Sequence, residues 1–282
     1  MNKKIIYTVV AILLLIGGIL GYNYHQKIFG KAITKKTVLF IYSTDTLLDV
    51  GKKIANFSNH PKSFLLVAKK KKYSKPKTGR YILKEGMSNN DVVNMLRSGN
   101  QTPIKVSFNN QDTLEKLAGR IAEQLETDSI SILNSFTDEK FLSTNKLTKK
   151  SVLQICIPNS YQFYWTISAT NFRDKMLTEY NRFWNSNRVA KAKLLEMSIS
   201  EVIALASIVQ KETAKINERP IVAGLYLNRL KKDWPLQADP TIIYCIREIK
   251  GQDYVVKRVL TADLEIISPY NTYRKKGLPP TL

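Results

Sequence analysis

The chain has 282 residues, 44% hydrophobic and 24% charged, enough apolar material for two modest domains with at least one sizeable core. Fourteen Tyr and ten Phe are too many for a disordered tail, and two His with two Cys rule out a zinc cluster or a disulfide-rich scaffold. Lys and Arg total 44 against 23 Asp and Glu, a formal charge of +21, and the first 100 positions hold 18 of the basic residues with only four acids.

After Lys3 and Lys4 comes an uncharged run from Ile5 to Tyr22. At 1.5 Å per residue it reaches about 27 Å, close to the roughly 30 Å of a bilayer's hydrocarbon core. Tyr7, Tyr22 and Tyr24 stand where interfacial rings belong. No small-x-small cleavage site follows, which favours an uncleaved anchor over residues 1–25 rather than a secretory signal. Lys27, Lys31, Lys35 and Lys36 lie just beyond the span, so charge alone does not set its orientation. Residues 26–36 read as a juxtamembrane linker.

Downstream, "TVLFIY" from Thr37 has strand character, and "STDTLLDVGKKIANF" fits a helix capped by Thr44 or Asp45. A second helix is expected behind Pro61, a strand in "TGRYILKEG", and a capped helix in "SNNDVVNMLRSG" stopped by Gly99. This makes a small β-α-α-β-α unit. The run Lys69-Lys70-Lys71-Lys72, with Lys75, Lys77 and Arg80, has three readings: a solvated face, attraction to an anionic membrane or wall polymer, or nucleic acid. No C-x-x-C finger, RNP-like aromatic pattern or Gly-rich phosphate loop supports the last, and no nucleic-acid partner is expected.

A second cycle starts at "TPIKVSFNN", followed by the helix "TLEKLAGRIAEQLE" and a polar, partly helical 126–150 region. "CIPNSYQFYW" resists a helix because Pro158 and Asn159 interrupt it. "SATNFRDKMLTEYNRFWN" is helical, with Phe172, Met176, Tyr180 and Phe183 at helical spacing.

"SISEVIALASIVQKETAK" starts behind Ser198 or Ser200, with Glu201 in its first turn. At 100° per residue, Leu205, Ile208 and Val209 fall within about 60° of Glu212, whereas Gln210 points away. A carboxyl on such an apolar face loses hydration in its charged form, which favours the protonated form that a glycoside-cleaving general acid needs. The bland alternative is that the helix ends near Glu212 and releases that side chain to solvent. "INERPIVAGLYLNRL" opens at Pro220, lines Val222, Leu225, Tyr226 and Leu230 on one side, and ends near Asn228 and Arg229. "WPLQADPTIIY" offers Gln237, Asp239, Thr241 and Tyr244, and "SPYNTYRKKGLPP" offers Tyr270, Asn271, Thr272 and Tyr273. Amides, hydroxyls and tyrosine faces suit a sugar-binding groove; capping or core packing is the competing role for each.

"LASIVQKETAKINERPIVAGLYLNRLKKDWPLQADPTIIY" and "SPYNTYRKKGLPP" closely resemble the endolytic murein transglycosylases of the YceG-like (MltG) family. The resemblance implies an α+β chain with an N-terminal transmembrane helix (1–25), a LysM-like domain over 37–104 and a mixed α/β catalytic domain over 105–282 that is incomplete at its C-terminus. It implies a single-pass protein of the bacterial cytoplasmic (inner) membrane facing the periplasm, without cofactor or metal. Its partners would be peptidoglycan glycan strands, with peptidoglycan synthases or divisome proteins as further candidates. The implied reaction is cleavage of the MurNAc-β-1,4-GlcNAc bond with 1,6-anhydro-MurNAc formation. Glu212 would be the catalytic acid, and Asn228, Gln237, Asp239, Thr241, Tyr244, Tyr270, Asn271 and Tyr273 substrate-binding residues. Two departures stand out: Gln210-Lys211-Glu212-Thr213 replaces the usual Glu-Lys-Glu-Thr, and Pro158-Asn159-Ser160-Tyr161 replaces Pro-Asp-Thr-Tyr. A non-catalytic wall-binding or divisome scaffold is the alternative from a different functional class.

Overall fold

A computed structural model describes residues 3–281 and is mixed α+β with an N-terminal apolar helix. It divides into two compact units: one takes the chain up to Leu133 together with Pro158–Phe172, the other takes Asn134–Ile157 and the chain from Arg173 onward.

In the first unit, α1 (Lys3–Phe29) runs unbroken through the apolar stretch and beyond it. The segment expected to be a linker is instead packed: Ile28, Ala32 and Ile33 are buried, and the Ala32 and Ile33 amides both donate to the Met87 carbonyl at 3.0 Å. Apolar side chains at 28, 32 and 33 gain more by joining a core than by staying hydrated, which draws the segment into the first unit. Strand β1 (Thr37–Ile41) pairs antiparallel with β2 (Gly79–Leu83), and alternation turns Leu39, Ile41, Tyr81 and Leu83 inward. Helices α2 (Leu47–Ala55), α3 (Pro61–Lys70) and α4 (Asn89–Ser98) supply Val50, Ile54, Phe64, Val67, Val92 and Leu96 to that core.

Helix α2 is capped by Thr46 in a reciprocal box with Asp49, not by Thr44 or Asp45. The Asp45 carboxylate is already committed, accepting from the Tyr42 amide at 2.7 Å and pairing with Lys53, so it closes the preceding turn. Ser88 and Asp91 form the equivalent box on α4, which ends at Gly99 with φ +75°, a left-handed conformation that glycine adopts without Cβ strain.

Strand β3 (Ile104–Phe108), before α5 (Leu114–Ala122), pairs antiparallel with β4 (Asn159–Phe163). The segment that resisted a helix assignment is therefore a strand, with Pro158 just outside its first residue, where a missing N–H costs the ladder nothing. Phe108 stacks on Tyr161 at 5.7 Å, and Phe163 meets Phe172 at 5.2 Å.

Helix α6 (Ser129–Phe136) leads into the second unit, followed by α7 (Glu139–Thr144), so the 126–150 region is helical in parts as expected. Helix α8 (Ala169–Phe183) buries Met176 but leaves Phe183 exposed. Beyond α9 (Ser186–Leu194), helices α10 (Ile199–Glu212) and α11 (Arg219–Lys231), with the turn that leads into α12 (Asp239–Lys250), supply a second core of Leu205, Ile208, Val209, Tyr226, Leu236 and Ala238. Leu225, expected on the inner side of α11, is exposed; Leu227 packs there instead.

Candidate active site

Helix α10 is capped by Ser198, whose hydroxyl and Glu201 carboxylate form a reciprocal box, and it buries Ala204, Leu205, Ile208 and Val209. It stops at Glu212 because Thr213 turns extended. The Thr213 hydroxyl donates to Glu218 at 2.8 Å and accepts the Lys215 amide at 3.1 Å, so the turn is closed by side chains rather than by another helical bond. Glu212 thus shares the phase of the buried face, yet as the last helical residue it is exposed. The hydrophobic enclosure expected for its carboxyl is absent, because the helix ends at this residue and releases the side chain to solvent.

What organises Glu212 is polar. The hydroxyl of Tyr226, buried in the α10–α11 core, faces the Glu212 carboxylate. Burial first, then the negative charge of Glu212 and its capacity to accept the hydroxyl proton, push the Tyr226 hydroxyl well above its ordinary value, with Arg229 opposing. Tyr226 therefore stays a neutral donor. Tyr273 donates to Asp239 at 2.6 Å, and burial, that hydrogen bond and the charges of Asp239 and Glu212 raise it to about 12. Glu212, Tyr226, Arg229, Asp239 and Tyr273 accordingly form one electrostatic cluster.

The turn before α12 is fixed from below. Gln237 holds φ +49°, its amide donating to the Thr272 carbonyl at 3.0 Å while its side chain stays exposed. Arg229 donates to the Leu236 carbonyl and, at 3.4 Å, to Gln237 Oε1. Beneath, the hydroxyls of Thr241 and Thr272 meet at 2.8 Å, Thr272 Oγ1 accepts the Ala238 amide at 3.0 Å, and Thr241 Oγ1 donates to the Ala238 carbonyl at 2.7 Å.

Of the residues proposed from sequence, Glu212, Gln237, Asp239 and Tyr273 are brought together. Thr241 and Asn271 are not groove residues in this arrangement: both are 0% exposed. Asn271 Nδ2 donates to the carbonyls of Leu264 and Ile266 at 2.8 and 2.7 Å, so it fastens the chain behind the site. Tyr244 and Tyr270 pair with each other, ring centroids 4.5 Å apart, in a neighbourhood with Lys150 and Glu248 rather than with Glu212. Asn228 is exposed about 160° around α11 from Tyr226 and does not join the cluster. Arg229, one residue on and only about 60° from Tyr226, does. Helical phase, applied to α11 as it was to α10, is the signal that would have chosen Arg229. Among the described residues no group of three or more His, Cys, Asp or Glu is placed to hold a metal ion.

The fold and site define an α+β protein with an apolar N-terminal helix and an exposed carboxylate at a helix end, held among tyrosines, an arginine and an amide-bearing turn. The chain belongs to the YceG-like family, whose model matches residues 39–282. It is 27% identical over 300 residues to an endolytic murein transglycosylase of Streptococcus pneumoniae, covering 95% of this chain and 54% of the relative. A Bacillus subtilis endolytic murein transglycosylase is 27% identical over 234 residues, covering 78% of this chain and 63% of its own length. The chain thus spans between about half and two thirds of these relatives. A 2.6 Å crystal structure of a YceG-like protein from Listeria monocytogenes superposes with a TM-score of 0.56 at 25% identity, over 88% of this chain and 85% of that one.

Proposed function

We propose that this protein is a membrane-anchored lytic transglycosylase that cuts peptidoglycan glycan strands internally at the MurNAc-β-1,4-GlcNAc bond. The observation that carries the reading is the Glu212 carboxyl, open to solvent yet faced by the Tyr226 hydroxyl and surrounded by Arg229, Asp239 and Tyr273. The names of the two transglycosylase relatives support it.

In this mechanism Glu212, protonated, gives its proton to the glycosidic oxygen as the C1–O bond breaks. The resulting carboxylate takes the proton of the muramic C6 hydroxyl, whose oxygen closes on C1 as a 1,6-anhydro ring. The proton returns to Glu212, no water is consumed, and one carboxyl serves in both half-steps, unlike hydrolases with paired carboxylates. A glycan laid over the exposed carboxyl excludes water from it, supplying on binding the desolvation that the free protein lacks. Tyr226 holds the carboxyl in place, while Gln237, Asp239 and Tyr273 orient the sugar. Helix α1 spans the cytoplasmic membrane and places the site on the periplasmic side; the unit over 37–104 is LysM-like and grips glycan; synthases or divisome proteins are neighbours in that setting. The apolar length of α1, whose residues 5–29 are long and apolar enough to cross a bilayer, supports the anchoring.

The test is mass spectrometry of products from un-cross-linked glycan treated with the full chain in detergent. Anhydro-muramyl ends that vanish on Glu212→Gln are expected. Reducing ends would make the protein a hydrolase, and glycan retention with no product would make it a scaffold.

A further inference from the structure

The basic excess of the first 100 residues has no role in the chemistry above, and the structure gives part of it a definite place. Helix α1 does not hand over to a flexible tether. Ile28 is buried in the small lobe's core, and Asn89, itself 0% exposed, donates its Nδ2 to the Lys27 carbonyl at 3.0 Å and to the His60 carbonyl at 3.5 Å. The residue before α3 is therefore tied to α1 at Lys27. The other end of α3 is tied to α1 at Tyr24, whose ring centroid lies 4.6 Å from Lys70 Nζ. Ten residues of helix measure about 15 Å, whereas Tyr24 and Lys27 are separated by about 4.5 Å along α1. Both ends of α3 are thus tied, through the Lys70 and Asn89 side chains, within one turn of the end of α1.

The height follows from the same contacts. The apolar run ends at Tyr22, before Asn23, so Tyr24 sits about 3 Å farther along the axis. The polar layer on each side of a bilayer's hydrocarbon core is about 5–8 Å deep. The Lys70 ammonium, drawn to the face of the Tyr24 ring, stands in that layer. Lys62, Leu66, Lys69 and Lys70 lie within about 100° of one another around α3, and all four are exposed, Leu66 at 43%. A leucine among lysines, on a helix tied at both ends to the end of α1, has the composition of an interfacial surface.

We propose that this face of α3 docks on anionic phospholipid headgroups of the leaflet it faces, holding the small lobe at the membrane surface. The proposal rests on α1 being a membrane span and does not depend on which side of the membrane the lobe occupies. Each lysine near an anionic surface multiplies the docked-to-lifted ratio about fivefold, so losing three lowers it about a hundredfold.

The full chain is reconstituted in vesicles of phosphatidylcholine alone and of phosphatidylcholine with phosphatidylglycerol, carrying Leu66→Cys labelled with a fluorophore. Cys156 and Cys245 are buried, which directs the label to the new thiol. Nitroxide-headgroup lipid is expected to quench the label at least about twofold more in the anionic vesicles. That excess is expected to disappear in about 1 M salt, where the screening length is about 3 Å, and on combining Lys62→Gln, Lys69→Gln and Lys70→Gln. Equal quenching in the two vesicle types, or an excess that survives salt and the triple substitution, overturns the docking. A separate label at Leu14→Cys, quenched by acyl-chain nitroxide, reports the span itself; its failure sinks the anchoring instead.

Discussion

Glu212→Gln separates chemistry from stability more sharply than any other single change. Glu212 is the C-terminal residue of α10, where the helix dipole disfavours a negative charge by about 0.3–1 kcal/mol, so neutralising it stabilises the fold by that amount. Against this, the Tyr226 hydroxyl faces a neutral amide in place of a carboxylate, a loss of at most about 1 kcal/mol. The two effects nearly cancel, and the unfolding midpoint moves by no more than about 4 °C. Catalysis suffers differently. A carboxyl that serves as acid and then as base is worth about a thousandfold or more, or about 4 kcal/mol in the barrier. The assay pairs thermal unfolding of the full chain in detergent with the rate of anhydro-muramyl product formation. A variant that unfolds more than about 10 °C lower makes Glu212 a structural residue, and one that keeps a tenth of the activity removes it from the reaction; either result refutes the reasoning.

Tyr226→Phe keeps the ring in the core and deletes only the hydroxyl that faces Glu212, so turnover is expected to fall about tenfold with little change in unfolding; measured kcat checks this. Asn271→Ala leaves the Leu264 and Ile266 carbonyls without their donor and is expected to cost about 2 kcal/mol, whereas Asn228→Ala on the exposed side of α11 costs less than about 0.5 kcal/mol; chemical denaturation compares them. Tyr81, fully buried in the small lobe, is raised by burial, and then by the charge of Tyr73, to about 12 from an ordinary 10. The unfolded chain therefore releases this proton first. The associated stability, about 3 kcal/mol, is intact below pH 10 and is lost as pH climbs from 10 through about 12, which alkaline unfolding followed by tyrosinate absorbance measures.

Much of this architecture was local and therefore legible in the residues. The Ser198–Glu201 and Ser88–Asp91 boxes, the stop at Gly99 and the shared phase of Leu205, Ile208 and Glu212 all rest on spacings of three to seven residues, within which helical geometry is fixed. Even the Thr46 cap was a local matter, decided by Asp45 having been claimed by Tyr42 and Lys53. Other features depend on groups far apart in the chain. The β3–β4 ladder joins Ile104 to Phe163, and residues 159–163 carry no strand signal strong enough to announce a partner more than fifty positions away. Packing across that distance also turned the expected linker into core through Ile28 and Ile33, and sank Thr241 and Asn271 beneath the site they were expected to line. Sequence by itself determined which carboxyl could end α10 beside an apolar face. Only tertiary structure decided that it would meet Tyr226, because that meeting depends on where the next helix packs, and no helical period crosses the turn between them.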